Sequence, residues 1–317
     1  MQLQTIVPIK PLGNPINYKA KIVNIGSCFA VNMAQRLQYY QFQNTINPLG
    51  ILFHPEAISR LLEFVVNDKV FTQEDVFQHN EIWSCFDAHS DLNQLEQEDI
   101  IEQLNSKICR FKANVFDATH IILTFGTAWV YRNKQSNQIV ANCHKVPQNQ
   151  FEKELLAVET CLENLKKIEQ NLRQINPNIQ IIYTISPVRH IKDGFVENQR
   201  SKAHLIAALH EYLEKNKPLN YYFPSYELLM DELRDYRFFG KDLIHPNDLA
   251  VDYIWQKFVE TCIHSNEIPT MKMVDEVQKG LVHRSFNPYS DAHQQFLDKL
   301  AQKIDVLLEQ YPFMNFR

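Results

Sequence analysis

Apolar, strand-like runs that alternate with amphipathic stretches predict an α/β fold: a mostly parallel sheet with helices on both faces. Two observations carry that expectation. Runs rich in β-branched residues recur at Ala20 to Ile25, His120 to Phe125 and Ile179 to Ile185, each followed by a glycine or a proline-containing turn. Stretches 55–67, 95–111, 150–174 and 199–215 repeat apolar residues at helical spacing. From about residue 266 onward the chain reads as helical and charged, without a further strand. The expected organisation is therefore an α/β domain over 1–265 and a helical extension over 266–317, either packed on the domain or used in self-association.

Taken in order, Ala20 to Ile25 ends at Gly26-Ser27-Cys28, after which Phe29, Met33, Ala34 and Leu37 recur at helical spacing. Phe42 to Ile46 is a short strand, and Asn47-Pro48-Leu49-Gly50 is its turn. The 55–67 helix carries Ile58, Leu61, Leu62 and Val65 on one face. Residues 68–94, polar and aromatic without period, read as an insertion placed to roof a pocket. After the 95–111 helix and the His120 to Phe125 strand come Gly126-Thr127, then two alternating runs flanking 133–137 as a hairpin. A long helix over 150–174 stops at Asn176-Pro177-Asn178. Ile179 to Ile185, the 199–215 helix, the Leu219 to Phe223 strand and the short Ser225 to Arg234 helix follow. Gly240 to Asn247 is a loop feeding a helix of Leu249 to Phe258.

Composition excludes several classes of function. The chain has 317 residues, with 32 Lys and Arg against 37 Asp and Glu, and no long basic run, which argues against a nucleic-acid backbone as partner. No stretch is apolar enough to span a membrane, and Met1 to Pro11 lacks the apolar core of a secretory signal, so cytoplasmic residence is expected. The six cysteines show no C-x-x-C pairing, which points to free thiols, and nothing calls for a metal or other cofactor.

The chemistry concentrates where strands end, because open α/β sheets bind ligands beyond the carboxyl ends of their strands. At the first end, Ser27 and Cys28 open a helix whose free N–H groups suit anions and nucleophiles, although Ser27 as a plain N-cap is the simplest reading. At the last, Asp242 and His245 stand three apart, so the carboxylate can accept the imidazole Nδ1–H and leave Nε2 for a nucleophile. Arg189, His190, Asp193, Arg200 and Lys202 cluster after the fourth strand, where they could hold an anionic or sugar-like substrate. Asn142 and His144 form a polar cluster at the end of the hairpin.

The string Gly26-Ser27-Cys28-Phe29-Ala30 resembles the signature of the GSCFA family, and Asp242-Leu243-Ile244-His245-Pro246 resembles the last block of the related SGNH/GDSL hydrolases. The likeness extends over about residues 20–260, through Thr124 to Val130, Ala141 to Lys145, Ser186 to Lys202 and Leu233 to His245. It implies a three-layer, flavodoxin-like fold and an acyl-hydrolysing or acyl-transferring site on a small or carbohydrate-linked acyl group. The superfamily places its nucleophile two residues after the glycine, which here is Cys28, with Ser27 as the alternative one position earlier. A cysteine at a helix N-terminus facing a histidine is expected to have a lowered thiol pKa. The resemblance further implies an oxyanion hole, for which Gly50, Gly126, Thr127 and Asn142 are the candidates, since the superfamily's asparagine is absent after Gly126. A non-catalytic module that holds an anion at the same helix N-terminus is the rival from another class.

Overall fold

The computed structural model describes residues 4–216 and 219–316. The chain runs through β1 (Lys21–Gly26), α1 (Cys28–Tyr39), β2 (Gln43–Ile46), α2 (Pro55–Val66), β3 (Phe77–His79), β4 (Ile82–Ser84) and α3 (Gln97–Asp117). It continues through β5 (His120–Phe125), β6 (Trp129–Asn133), β7 (Ile139–Val140), β8 (Phe151–Leu155), α4 (Val158–Ile175), β9 (Gln180–Ile185) and α5 (Phe195–Lys215). It closes with β10 (Asn220–Tyr222), α6 (Ser225–Glu227), α7 (Asp248–Cys262), α8 (Ile268–Val282) and α9 (Asp291–Gln310). α6 runs on into a π-helical turn at Leu228–Leu233.

The central sheet has the order β10-β9-β5-β1-β2, with every neighbouring pair parallel. Numbered by appearance among these strands, the order is 2-1-3-4-5, the flavodoxin-like arrangement, whose switch point lies between the first and third strands. Here that point lies between the ends of β1 and β5. Side chains alternate across the sheet with period two. Val23, Ile25, Ile121, Leu123, Phe125, Ile181, Tyr183 and Ile185 pack with α2, α3, α4 and α5. Ile22, Ile122 and Ile182 pack with α1, α7, α8 and α9, which makes the third layer. The C-terminal helices belong to that layer: Met271, Val274, Val277, Leu300 and Leu307 share one core with Tyr18, Phe29 and Phe42. Tyr311 packs its ring 4.9 Å from that of Tyr18, and Tyr39 donates to Asp275 across the junction.

The structure departs from the expected elements mainly between 129 and 175. The reading of 150–174 as one helix fails at its start, where Phe151–Leu155 is a strand antiparallel to β6, pairing Trp129 with Leu155 and Asn133 with Phe151. Glu and Lys favour a helix locally, yet here the Glu154 carboxylate accepts from Arg132 Nε and Nη2, and Lys153 lies 4.4 Å over the Trp129 ring. Such cross-strand pairs override local propensity. The hairpin is thus a three-stranded sheet of order β7-β6-β8. The 68–94 insertion folds as a turn and the β3–β4 hairpin, and Phe86 O accepts from Ala141 N and Asn142 N. Its Phe77 and Phe86 pack against Val140 and Phe151 of the three-stranded sheet, and none of its residues lines the cavity described below, so the insertion does not roof that cavity.

Candidate active site

The corner after β1 is shaped by its glycine. Gly26 has φ +149, and a Cβ there would lie 2.3 Å from Thr124 O, so only glycine lets β1 pass this close to β5. Gly26 N donates to Asn47 Oδ1 at 2.8 Å, and Ser27 N to Thr124 O at 3.2 Å. Ser27 then caps α1: its Oγ accepts from Phe29 N at 3.3 Å, and the residue is 3% exposed. Cys28, the next residue, is exposed. The packing around its sulphur pushes the thiol pKa up, which a hydrogen bond from its own backbone only partly offsets. The expected lowering is therefore corrected: at this helix N-terminus desolvation outweighs what favours the thiolate.

The Asp242–His245 pair is built by a tight loop. Phe239 bridges Pro246, Gly240 N donates to His245 O at 2.8 Å, and Leu243 takes a left-handed φ of +58. Asp242 Oδ1 accepts from Ile244 N at 2.9 Å and His245 N at 3.1 Å. Its Oδ2 accepts from His245 Nδ1 at 2.7 Å, which leaves Nε2 free to take a proton. The bond to His245, followed by the two backbone bonds, holds the carboxyl pKa down at about 2. Asn247 clamps the end of this loop: it caps α7 by accepting from Ala250 N and donates to Arg237 O and Phe239 O.

Contacts carry the loop to the sheet edge. Arg189 N donates to Ile244 O at 3.3 Å, and the Arg189 guanidinium lies 4.1 Å over Phe239 and 5.3 Å over Tyr236. His190 N donates to Asn198 Oδ1, and its ring stacks on Phe53 at 5.8 Å. A Cβ on Gly126 would meet His190 Nε2 at 3.1 Å. Burial, then the charges of Lys202 and His245, push the His190 pKa down to about 3, so this imidazole is neutral. A cavity of about 270 Å³ opens here, lined by Phe53, His54, Thr127, Trp129, Asn142, Cys143 and His190; Cys28, Asp242 and His245 are not part of its lining. His54 is neutral too: burial lowers its pKa to about 4, with Nδ1 accepting from Ala57 N and Nε2 donating to Val140 O.

Several residues singled out in the sequence are engaged elsewhere. Gly50 N donates to Asn47 O at 2.9 Å and Gly126 N to Phe53 O at 2.7 Å, so neither amide is free for an oxyanion. Thr127 Oγ1 shares a hydrogen bond with Ser201 Oγ and accepts from Trp129 N. Asn142 lines the cavity, and its Oδ1 accepts from His144 N as a turn cap does, which orients the carboxamide without using its Nδ2. His144 is buried, its Nε2 donating to Cys85 O and Ala88 O, which ties the insertion down. Arg200 is exposed and pairs with Glu197. Lys202 is corrected from substrate ligand to buried strut: it is 1% exposed, and its Nζ donates to Gly126 O and Ser186 O, both at 2.6 Å. The side chain of Asp193 lies outside the described residues. The sequence reading missed Asn47, Asn198 and Ser201 as positioning groups; an Asn-Pro-x-Gly turn directly after a strand was the available signal for the first.

Among the described residues no group of three or more His, Cys, Asp or Glu is arranged to hold a metal ion, and no helix is long and apolar enough to cross a membrane. No curated protein matches the chain. Among solved structures it is similar to an acetyl xylan esterase from the rumen bacterium Butyrivibrio proteoclasticus, at 12% identity and a TM-score of 0.42. That match covers 81% of this chain and 66% of the esterase, less than two thirds of its length. The GSCFA family model matches residues 21–258, and the C-terminal domain model of GSCFA domain proteins matches 274–317. With three quarters of its length in the first match, and the signature glycine, serine and cysteine forming the corner above, the chain belongs to the GSCFA family.

Proposed function

We propose that the protein is an acyl-ester hydrolase with Cys28 as nucleophile, His245 as base and Asp242 as the group that orients His245. The observation that carries this reading is the His245 Nδ1 to Asp242 Oδ2 bond of 2.7 Å at the carboxyl edge of the sheet where Cys28 emerges. Ser27 fits the role less well, because it is buried and its oxygen caps the helix. The raised thiol pKa supports the need for a base. His245 Nε2 takes the thiol proton as Sγ attacks the acyl carbonyl, giving a tetrahedral oxyanion. Collapse forms the thioester and expels the alcohol, which takes the proton back from His245. Water, deprotonated by His245, then attacks the thioester and releases the carboxylic acid and the free thiol.

The cavity beside His190 offers aromatic faces and amides, with Lys192 the one cationic side chain in its lining among the described residues. That supports a small or carbohydrate-linked acyl ester over a strongly charged substrate. Six unpaired cysteines support a reducing, cytoplasmic setting. The test is adduct mapping by mass spectrometry after limited iodoacetamide and, separately, fluorophosphonate, with p-nitrophenyl acetate hydrolysis in parallel. Preferential labelling of Cys28 and turnover, both falling in His245→Ala, are expected. Adducts spread over Cys28, Cys109 and the half-buried Cys143 alike, indifferent to His245, would leave an anion-binding module as the better reading.

A further inference from the structure

The acyl transfer proposed above needs donors for an oxyanion, and the structure engages the amides of Gly50 and Gly126 and the Thr127 hydroxyl elsewhere. Two buried donors beside the corner have no partner among the described residues, Asn47 Nδ2 and Thr124 Oγ1; Thr124 lies among Phe29, Met33 and Ile122 on the apolar face of the sheet, which leaves Asn47. Asn47 Nδ2 is buried and makes no hydrogen bond among the described residues. Its orientation is fixed by the other half of the same carboxamide: Gly26 N–H can donate only to the oxygen, so the bond of 2.8 Å assigns Oδ1 to Gly26 and Nδ2 to the remaining position.

Backbone geometry places that carboxamide at the sheet edge. Asn47 N donates to Asn24 O at 2.9 Å, and Asn47 Oδ1 then accepts from Gly26 N, so the side chain substitutes for the next carbonyl of the β1–β2 ladder. This needs the left-handed φ of +40, which asparagine tolerates better than most residues. Nδ2 shares a carbon with the oxygen bound to Gly26, two residues before Cys28. A buried amide donor left unpaired is costly in a resting protein, and an acceptor that arrives with the substrate would recover that cost.

We propose that Asn47 is a catalytic residue whose Nδ2 donates to the oxyanion formed when Cys28 attacks the acyl carbonyl, while its Oδ1 holds Gly26 in register. The inference rests on Cys28 as nucleophile. Two variants separate the donor from the clamp. Asn47→Asp keeps an acceptor for Gly26 N and removes the donor; Asn47→Ala removes both. Each is assayed with p-nitrophenyl acetate, for kcat, and with iodoacetamide, for the alkylation rate of Cys28. Alkylation displaces iodide and forms no oxyanion, so dividing kcat by this rate removes any effect of the new carboxylate on the thiolate. The expected result is a fall in that ratio on the order of a hundredfold or more in both variants, with Asn47→Asp folded by circular dichroism. A ratio in Asn47→Asp within about threefold of wild type, whatever Asn47→Ala does, would mean that Asn47 only holds the corner and overturns the proposal. Wild-type protein that hydrolyses ester while its Cys28 resists iodoacetamide, or does neither, overturns the underlying reading instead.

Discussion

Replacing Lys202 by methionine isolates the energetics of a lysine with no access to water. Its ammonium bridges Gly126 O and Ser186 O and lies 5.7 Å from the Tyr226 ring centroid, and burial lowers its pKa from 10.5 to about 7. In the unfolded chain the same group stays protonated to its ordinary value. Below about pH 7 both states hold the proton and stability does not depend on pH through this residue; above it the folded state releases the proton and the unfolded state keeps it. Wild-type stability therefore gains about 1.4 kcal/mol per pH unit from Lys202 in that window. Integrated from about pH 7.5 to 9.5, the gain is about 2.5 kcal/mol. The thioether side chain of the variant, close in volume, has no such dependence. The assay is urea unfolding at a series of pH values, read as wild type minus Lys202→Met, so that tyrosines and cysteines titrating in the same range cancel. The two carbonyls that lose a donor lower the variant's stability by an amount independent of pH, since a neutral amine can still serve both. Parallel stability curves would refute the reasoning, because they would mean that Lys202 keeps its solution pKa.

Gly26→Ala places a methyl 2.3 Å from Thr124 O at φ +149, and is expected to cost more than about 2 kcal/mol in thermal or urea unfolding and to abolish Cys28-directed labelling. Ser27→Ala removes the cap accepting from Phe29 N, for a loss of about 1 kcal/mol, while ester turnover persists; loss of all turnover would instead make Ser27 the nucleophile. Asp242→Asn can keep the backbone bonds to Ile244 and His245 but not the charge, and kcat is expected to fall by about 10³-fold or more. With its pKa held at about 2, Asp242 remains ionised throughout a pH 4 to 9 activity profile, so no limb of that profile should report its protonation.

The elements legible in the sequence are those whose determinants lie within a few residues. β1, β5 and β9 announce themselves by β-branched runs, the corner by Gly26-Ser27-Cys28, and the Asp242–His245 pair by a spacing that one turn closes through Asp242 Oδ1. The alternation of strands and helices announces a parallel sheet, whereas the flavodoxin-like strand order was implied only by the resemblance of the two motifs, since the same alternation fits other doubly wound orders. Tertiary structure alone decided the rest, because hydrogen-bond partners and desolvation come from distant chain. Phe151–Leu155 is a strand only because β6 lies beside it, 22 residues away at the Arg132–Glu154 pair. Lys202 sits in a polar-looking run, yet its partners are Gly126 O, 76 residues distant, and Ser186 O. Gly50 and Gly126 look like free turn amides until Asn47 and Phe53 accept from them. The Cys28 thiol is set upward by the packing around it, which outweighs the helix end that local sequence reveals. Sequence thus determined which chemical groups stand at the strand ends, and folding decided which of them are left with a free donor, a free lone pair or a proton to give.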